Sequence, residues 1–194
     1  MQVAFAVQNS NYLSVLFRED DPDDNQQNSV LTNTFKIFSL CAEGMPCELS
    51  FELSQLVTDS HRYGNFNKDL EFVAFSQSSP QKDDEMQTLD YFNVTFLTRN
   101  GHLYTLCPVL LRQNIMKEEH FSQVQLLIND LIEDQQEEGL DTQLMRLFKM
   151  ALIEGKTRSE SANPAMIGQC IVQVNEQKQK RLVPKLSGPI TVAN

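Results

Sequence analysis

Residues 91–110, YFNVTFLTRNGHLYTLCPVL, set two apolar runs on either side of the polar stretch Thr98-Arg99-Asn100-Gly101. Asn-Gly between such runs is the strongest short-range hairpin signal, because both central residues of a type I′ turn take positive φ. The expectation is a two-stranded ribbon. A ribbon alone is marginal in water, so it must pack against something. Phe92, Val94 and Phe96 fall on one side of the first strand, and Tyr91, Asn93, Thr95 and Leu97 on the other. Both sides are largely apolar, whereas an antiparallel strand with one wet face alternates cleanly. Small antiparallel sheets covered on both faces occur where sheets stack around an axis, as propeller blades do.

The rest of the chain supports more than one such sheet. VAFAV (3–7), YLSVLF (12–17), TFKIFSL (34–40), CELSFEL (47–53) and LEFVAFSQ (70–77) have strand length and β-favoured composition. The polar stretches 18–29 and 78–88 read as loops, and 54–69 as a connection without a clear pattern. The acidic run in 18–29 lacks the alternating carboxylates, central Gly and distal Glu of an EF-hand, so it reads as a solvated loop. NTFKIFSL (33–40) and GHLYTLCP (101–108) both follow a strand and a polar connection. They are expected to be equivalent strands of two sheet units.

Residues 115–180 carry a different period. Phe121, Val124, Leu127, Ile128 and Leu131 recur at helical spacing, as do Leu140, Leu144, Leu147, Phe148, Ala151 and Leu152. Gly155 suits a C′ position. Asn163-Pro164 reads as the start of a third helix, continued by Met166, Ile167, Cys170, Ile171 and Val174. GPITVAN (188–194) turns extended again.

The expected fold class is therefore mainly β: a partial β-propeller of about two to three blades with an α-helical insertion. Blades occupy 1–114, the helical insertion 115–180, and the start of the next blade 181–194. At roughly 40 residues per blade, 194 residues do not close a ring of six or more blades. The chain is expected to be part of a larger propeller.

Composition narrows the function. A formal net charge of −10 disfavours a phosphate-backbone partner. Cys41, Cys47, Cys107 and Cys170 form no CxxC pair, and His61, His102 and His120 are scattered, so no zinc pattern exists. No apolar run is long enough to span a bilayer. No phosphate-binding loop, HExxH, GxSxG or GxGxxG occurs. Cys107 has only His102 near it in sequence and reads as a structural thiol, and His120 beside Glu118 and Glu119 reads as helix-start capping. No enzyme, cofactor or metal is expected.

The hairpin ending LYTLCPVLL (103–111), the helices after it and KLSGPI (185–190) together resemble one family. It is the propeller of the eighty-eight-kilodalton nucleoporin of vertebrates, called eighty-two in yeast. Members carry a helical insertion between a Y-x-L-C-P-like strand end and a G-P re-entry. Here those positions are Tyr104, Leu106, Cys107 and Pro108, then Gly188 and Pro189. The resemblance covers 90–194, and 1–53 only in pattern. The family's coiled-coil region is absent from this sequence, as are FG repeats.

The resemblance implies a structural scaffold on the cytoplasmic face of the nuclear pore complex, at the nuclear envelope. It would anchor other nucleoporins and so support mRNA export and nucleocytoplasmic protein transport. Implied partners are the tail helix of an FG-repeat nucleoporin and a globular nucleoporin domain, with no direct nucleic acid and no membrane insertion. The alternative is a different propeller adaptor, such as a vesicle-coat subunit. The partner site is placed in the insertion. Leu126, Leu127, Ile128, Leu131 and Ile132 spread apolar surface around the first helix, and Met145, Met150 and Ile153 lie off the main stripe of the second. Methionine adapts to partner surfaces. The candidate partner-binding residues are Leu126, Ile132, Met145 and Met150.

Overall fold

β-favoured residues in alternation build the N-terminal part of the protein, seen here in a computed structural model that describes residues 1–6, 9–20, 31–60, 71–77, 88–134, 140–153, 157–158 and 169–191. Gln2–Phe5 (β1), Tyr12–Asp20 (β2), Leu31–Ser39 (β3) and Cys47–Glu52 (β4) pair in chain order as one antiparallel sheet. Phe72–Gln77 (β5), Val94–Thr98 (β6), His102–Cys107 (β7) and Lys185–Thr191 (β11) form a second, again antiparallel. The fold is a partial propeller, mainly β, with a helical insertion.

The chain divides into two compact units. The first holds 1–78, 93–107 and 185–194, and the second holds 79–92 and 108–184.

In the first unit the two sheets meet face to face. Phe35 on β3 is fully buried and makes edge contacts with Phe75 on β5 at 5.1 Å and Phe96 on β6 at 5.2 Å. Burying one such ring contributes about 1.5–3 kcal/mol, and each aromatic pair adds about 0.5–1.5 kcal/mol. Polar groups cross the same seam. The Gln2 side chain accepts from the Phe75 N–H at 2.6 Å and donates to the Phe75 carbonyl at 3.2 Å, so β1 and β5 lie side by side. The buried Glu71 carboxylate meets Arg99 at 2.9 Å and also Arg18. Leu53–Ser60 (α1) packs on β3 and β11, with Leu53 fully buried.

β3 and β7 hold the same third place in the two sheets, as the likeness of NTFKIFSL and GHLYTLCP implied. The hairpin at 94–107 forms, but its turn differs from expectation. Thr98 accepts from the Gly101 N–H at 3.0 Å, and of the turn residues only Gly101 has positive φ, at 81°. This is a type I-like turn followed by a left-handed glycine rather than type I′. Phe92 was expected on the strand's apolar face. It instead ends a 3-10 turn, Thr88–Phe92, and joins the core of the second unit. β2 runs on to Asp20, into what read as loop, because Arg18, Glu19 and Asp20 stay in register with Asn33, Thr32 and Leu31. The rest of that acidic stretch lies outside the described residues, as do most of 78–88, Gly155 and Asn163-Pro164.

The second unit contains Gln113–Lys117 (β8), Glu118–Asp134 (α2), Leu140–Ile153 (α3), Thr157–Arg158 (β9), Gln169–Gln173 (β10) and Glu176–Gln179 (α4). Residues 115–180 are mainly helical among the described residues, as expected, but the third helix read through Cys170, Ile171 and Val174 is corrected here. β8, β10 and β9 form a three-stranded sheet in that order. Where a third helix was read, β10 pairs with β8, Ile171 opposite Ile115 and Val172 opposite Asn114. Cys170, Ile171 and Val174 fit a helical stripe, but Val172 and Val174 also fit strand alternation, and both valines are buried. β-Branched Ile171 and Val172 favour the strand once β8 offers an edge.

The boundaries shift as well. Lys185–Thr191, expected within the start of another blade at 181–194, does not start one. β11 pairs with β7 and completes the second sheet, Leu186 opposite Leu106 and Ile190 opposite Leu103. The pairing shifts between Ser187 and Ile190, where the Gly188–Pro189 peptide is cis. Proline lacks a ladder donor and belongs at such irregularities. The insertion therefore interrupts the second sheet between its third and fourth strands, from Pro108 rather than 115 and through Pro184.

Candidate partner-binding surface of the helical insertion

α2 begins with Glu118 and Glu119, whose charge suits the exposed N–H groups of a helix start. Phe121, Val124 and Ile128 then return at three- and four-residue steps and are buried. On α3, Phe148, Ala151 and Leu152 are fully buried. The Phe148 ring stands edge-on to Phe92 at 5.0 Å. Met116, Val172, Val174 and Leu182 complete this core.

Side-chain hydrogen bonds hold the ends of the unit. Asn114 donates to the Leu111 carbonyl at 2.7 Å and accepts from the Leu111 N–H at 3.3 Å. Asn175 caps α4 by accepting from the Gln177 N–H at 2.9 Å. Buried Gln179 donates to the Leu110 carbonyl at 2.8 Å, and Arg112 pairs with Glu176.

The four sequence candidates separate into two pairs. Leu126 on α2 is 63% exposed and Met150 on α3 is 43% exposed. Ile132 and Met145 are partly buried and pack against the unit's core. The reason is angular. Leu126 lies two residues from both Val124 and Ile128, on the far side of the helix, whereas Ile132 lies one turn beyond Ile128 on the buried stripe.

Between α2 and α3 lies a cleft of about 230 Å³, lined by Gln125, Ile128, Asn129, Lys149 and Leu152. Its floor is apolar, since Ile128 and Leu152 are fully buried. Its rim is polar. Asn129 Oδ1 is buried and has no hydrogen-bond partner. Such a cleft suits an apolar side chain beside a donor group. The sequence reading missed it because Asn129 and Lys149 sit next to stripe residues without belonging to the apolar pattern. A polar residue adjoining a buried stripe on each of two packed helices is the signal that was available.

The sequence candidates for chemistry do not come together. His102 and Cys107 are the two ends of β7 and, five residues apart, face opposite sides of the sheet. His120 is half-buried in the first turn of α2. Among the described residues no group of three or more His, Cys, Asp or Glu gathers as a metal-holding set, and no helix is long and apolar enough to cross a membrane.

Two four-stranded antiparallel sheets in chain order, with a helical unit spliced into the second, define a partial propeller-type fold. No family model matches the chain, and no curated protein matches it. Among solved structures it is similar to a chain in the crystal structure of the Chaetomium thermophilum heterotrimeric Nup82 NTD-Nup159 TAIL-Nup145N APD complex. The TM-score is 0.57 at 14% identity, and the match covers 97% of this chain and 47% of that one. The likeness is one of fold, and the protein spans about half the length of the chain it matches.

Proposed function

We propose that this protein is a non-catalytic scaffold of the nuclear pore complex that holds other nucleoporins. The observation that carries this reading is the fold it shares, over 97% of its length, with a chain from a complex of nucleoporins. The sequence resemblance over Tyr104, Leu106, Cys107, Pro108, Gly188 and Pro189 supports the same reading independently. The finer proposal is a place on the cytoplasmic face, in support of mRNA export. Its partners there are an FG-repeat nucleoporin's tail helix and a globular nucleoporin domain.

The contact surface proposed is the exposed pair Leu126 and Met150 with the cleft between α2 and α3. An amphipathic helix laid in a groove presents apolar anchors at helical spacing, and the fully buried floor of Ile128 and Leu152 would receive one. The test expresses the tagged protein in its own cells. The expected result is a nuclear-rim signal and co-purification of nucleoporins. Leu126→Glu with Met150→Glu should lose the tail-helix partner with an unchanged melt, since exposed substitutions stay within about 0.5 kcal/mol. A diffuse signal without nucleoporins overturns the function. Intact capture by the double variant moves the site elsewhere.

A further inference from the structure

Two short runs of helix build the cleft between α2 and α3. Gln125, Ile128 and Asn129 stand three and four residues apart on α2, and Lys149 and Leu152 three apart on α3, so each set shares one helix face. The cleft holds about 230 Å³, below the roughly 300–1,000 Å³ of small-molecule pockets. It has room for one large side chain. Asn129 is its unusual member. The Oδ1 atom is buried and has no hydrogen-bond partner among the described residues. Native proteins leave few such atoms unpaired, because a buried acceptor without a donor keeps its whole desolvation penalty. A leucine at this position would remove that penalty and extend the apolar floor of Ile128 and Leu152. The amide is therefore a group that the fold does not need. Its terminal torsion is broad, so the oxygen can turn to a donor placed in the cleft.

We propose that Asn129 selects the anchor side chain of the partner, and that this anchor is a tyrosine, its ring on Ile128 and Leu152 and its hydroxyl donating to Asn129 Oδ1. This rests on the reading of the cleft as a groove for a partner helix. Three features of the cleft narrow the choice. The buried floor requires an apolar body, which excludes serine and threonine. The orphaned acceptor requires a donor, which excludes leucine, methionine and phenylalanine. Lys149 sets a cation among the lining residues, which repels a lysine or arginine donor and itself offers N–H groups to an acceptor. A phenol hydroxyl both donates and accepts, whereas the indole of tryptophan only donates. Tyrosine alone therefore answers Asn129 and Lys149 together. A buried ring with a polar tip is also how tyrosine serves at interfaces.

The experiment titrates the isotope-labelled full chain with para-cresol, para-methylanisole and skatole, and follows backbone amide shifts by NMR. Para-cresol, the tyrosine side chain itself, should shift amides of α2 and α3 around Asn129 and Leu152 and leave those of β2 and β3 in place. Para-methylanisole, whose oxygen cannot donate, should bind about tenfold more weakly, the span of one hydrogen bond. Skatole, the tryptophan side chain, should fall between the two. Asn129→Leu should melt at or above wild type and bind para-cresol and para-methylanisole alike. Asn129→Asp, which keeps an acceptor, should keep the preference, and Lys149→Met should bring skatole level with para-cresol. A merely structural Asn129 would instead lower the melt of Asn129→Leu and leave the preference untouched. Equal wild-type affinity for para-cresol and para-methylanisole overturns the proposal. Tighter binding of skatole overturns it too and assigns the anchor to tryptophan, and so does the absence of shifts in α2 and α3. None of these readouts contains a nucleoporin. Their failure leaves the scaffold function to its own test, and lost nucleoporin capture beside an intact preference for para-cresol overturns the scaffold function alone.

Discussion

In the first sheet each strand pairs with the next in the chain, β1 to β2 to β3 to β4. In the insertion β8 finds its partner only after two helices have intervened, Ile115 meeting Ile171. The second sheet contains both situations. β5, β6 and β7 pair in order, and β11 returns to β7 from beyond the insertion. Closing a long loop costs entropy that no local contact repays at the time. Pairing that spans the insertion must therefore be held by well-packed, irreplaceable residues, whereas a hairpin is supported by its own turn.

The sharpest way to break that comparison is Phe148→Ala. Phe148 is fully buried in the insertion's core, and truncating a core Phe costs about 3–5 kcal/mol. Hydrogen exchange should lose protection in α2, α3 and β10 while amides of β2 and β3 keep theirs. Equal loss in both regions would mean that the two units unfold as one.

Gly188→Ala tests the long-range return of β11. Gly188 has φ 142°, and an added Cβ would sit 2.8 Å from the Leu103 carbonyl oxygen and 2.8 Å from a Tyr104 ring carbon. The strained backbone alone costs about 1–3 kcal/mol, and the clash adds to it. Gly44→Ala is the control, with φ 80° but nothing within 4 Å of the new Cβ. Chemical denaturation should find the first variant clearly less stable than the second.

Glu71→Gln tests the polar seam between the two sheets. It removes the charge that Arg18 and Arg99 share, while both arginines stay partly solvated. The expected loss is about 1–2 kcal/mol, below that of a fully buried pair. High salt should shrink the difference between wild type and variant.

The smallest effect is a pH dependence. Burial raises the Tyr104 hydroxyl above its ordinary value of 10.0. The folded state then holds this proton more tightly than the unfolded chain. Its contribution is complete below the ordinary value and is lost as pH rises through the raised one. Tyr104→Phe should flatten the alkaline end of the stability profile while leaving the neutral region near wild type.

What the sequence determined by itself is the part of the fold set by neighbours within a few residues. Asn100-Gly101 between two apolar runs specified a hairpin, even though the turn settled on one left-handed residue rather than two. The strands β1 to β7 followed from short β-favoured runs, and α2 and α3 from stripes at a period of 3.6. The exposed Leu126 and Met150 were legible as apolar residues off those stripes. Ile132 was legible too, one turn beyond Ile128 on the stripe, but Met145 was not separable from Met150, because sequence gives a helix's period but not which neighbour covers each angle.

Only the tertiary structure decided three further matters. Cys170, Ile171, Val172 and Val174 satisfy a helix and a strand about equally, and the free edge of β8 chose the strand. Phe92 continues the apolar alternation of β6, yet the aromatic contact with Phe148 took it into the other core. Lys185–Thr191 reads as the first strand of something new, and the open edge of β7 made it the last strand of the second sheet. The physical reason is common to all three. Periodicity is fixed by bonds along the chain, but a backbone edge or an apolar cavity accepts whichever compatible segment reaches it, however far away in sequence that segment lies.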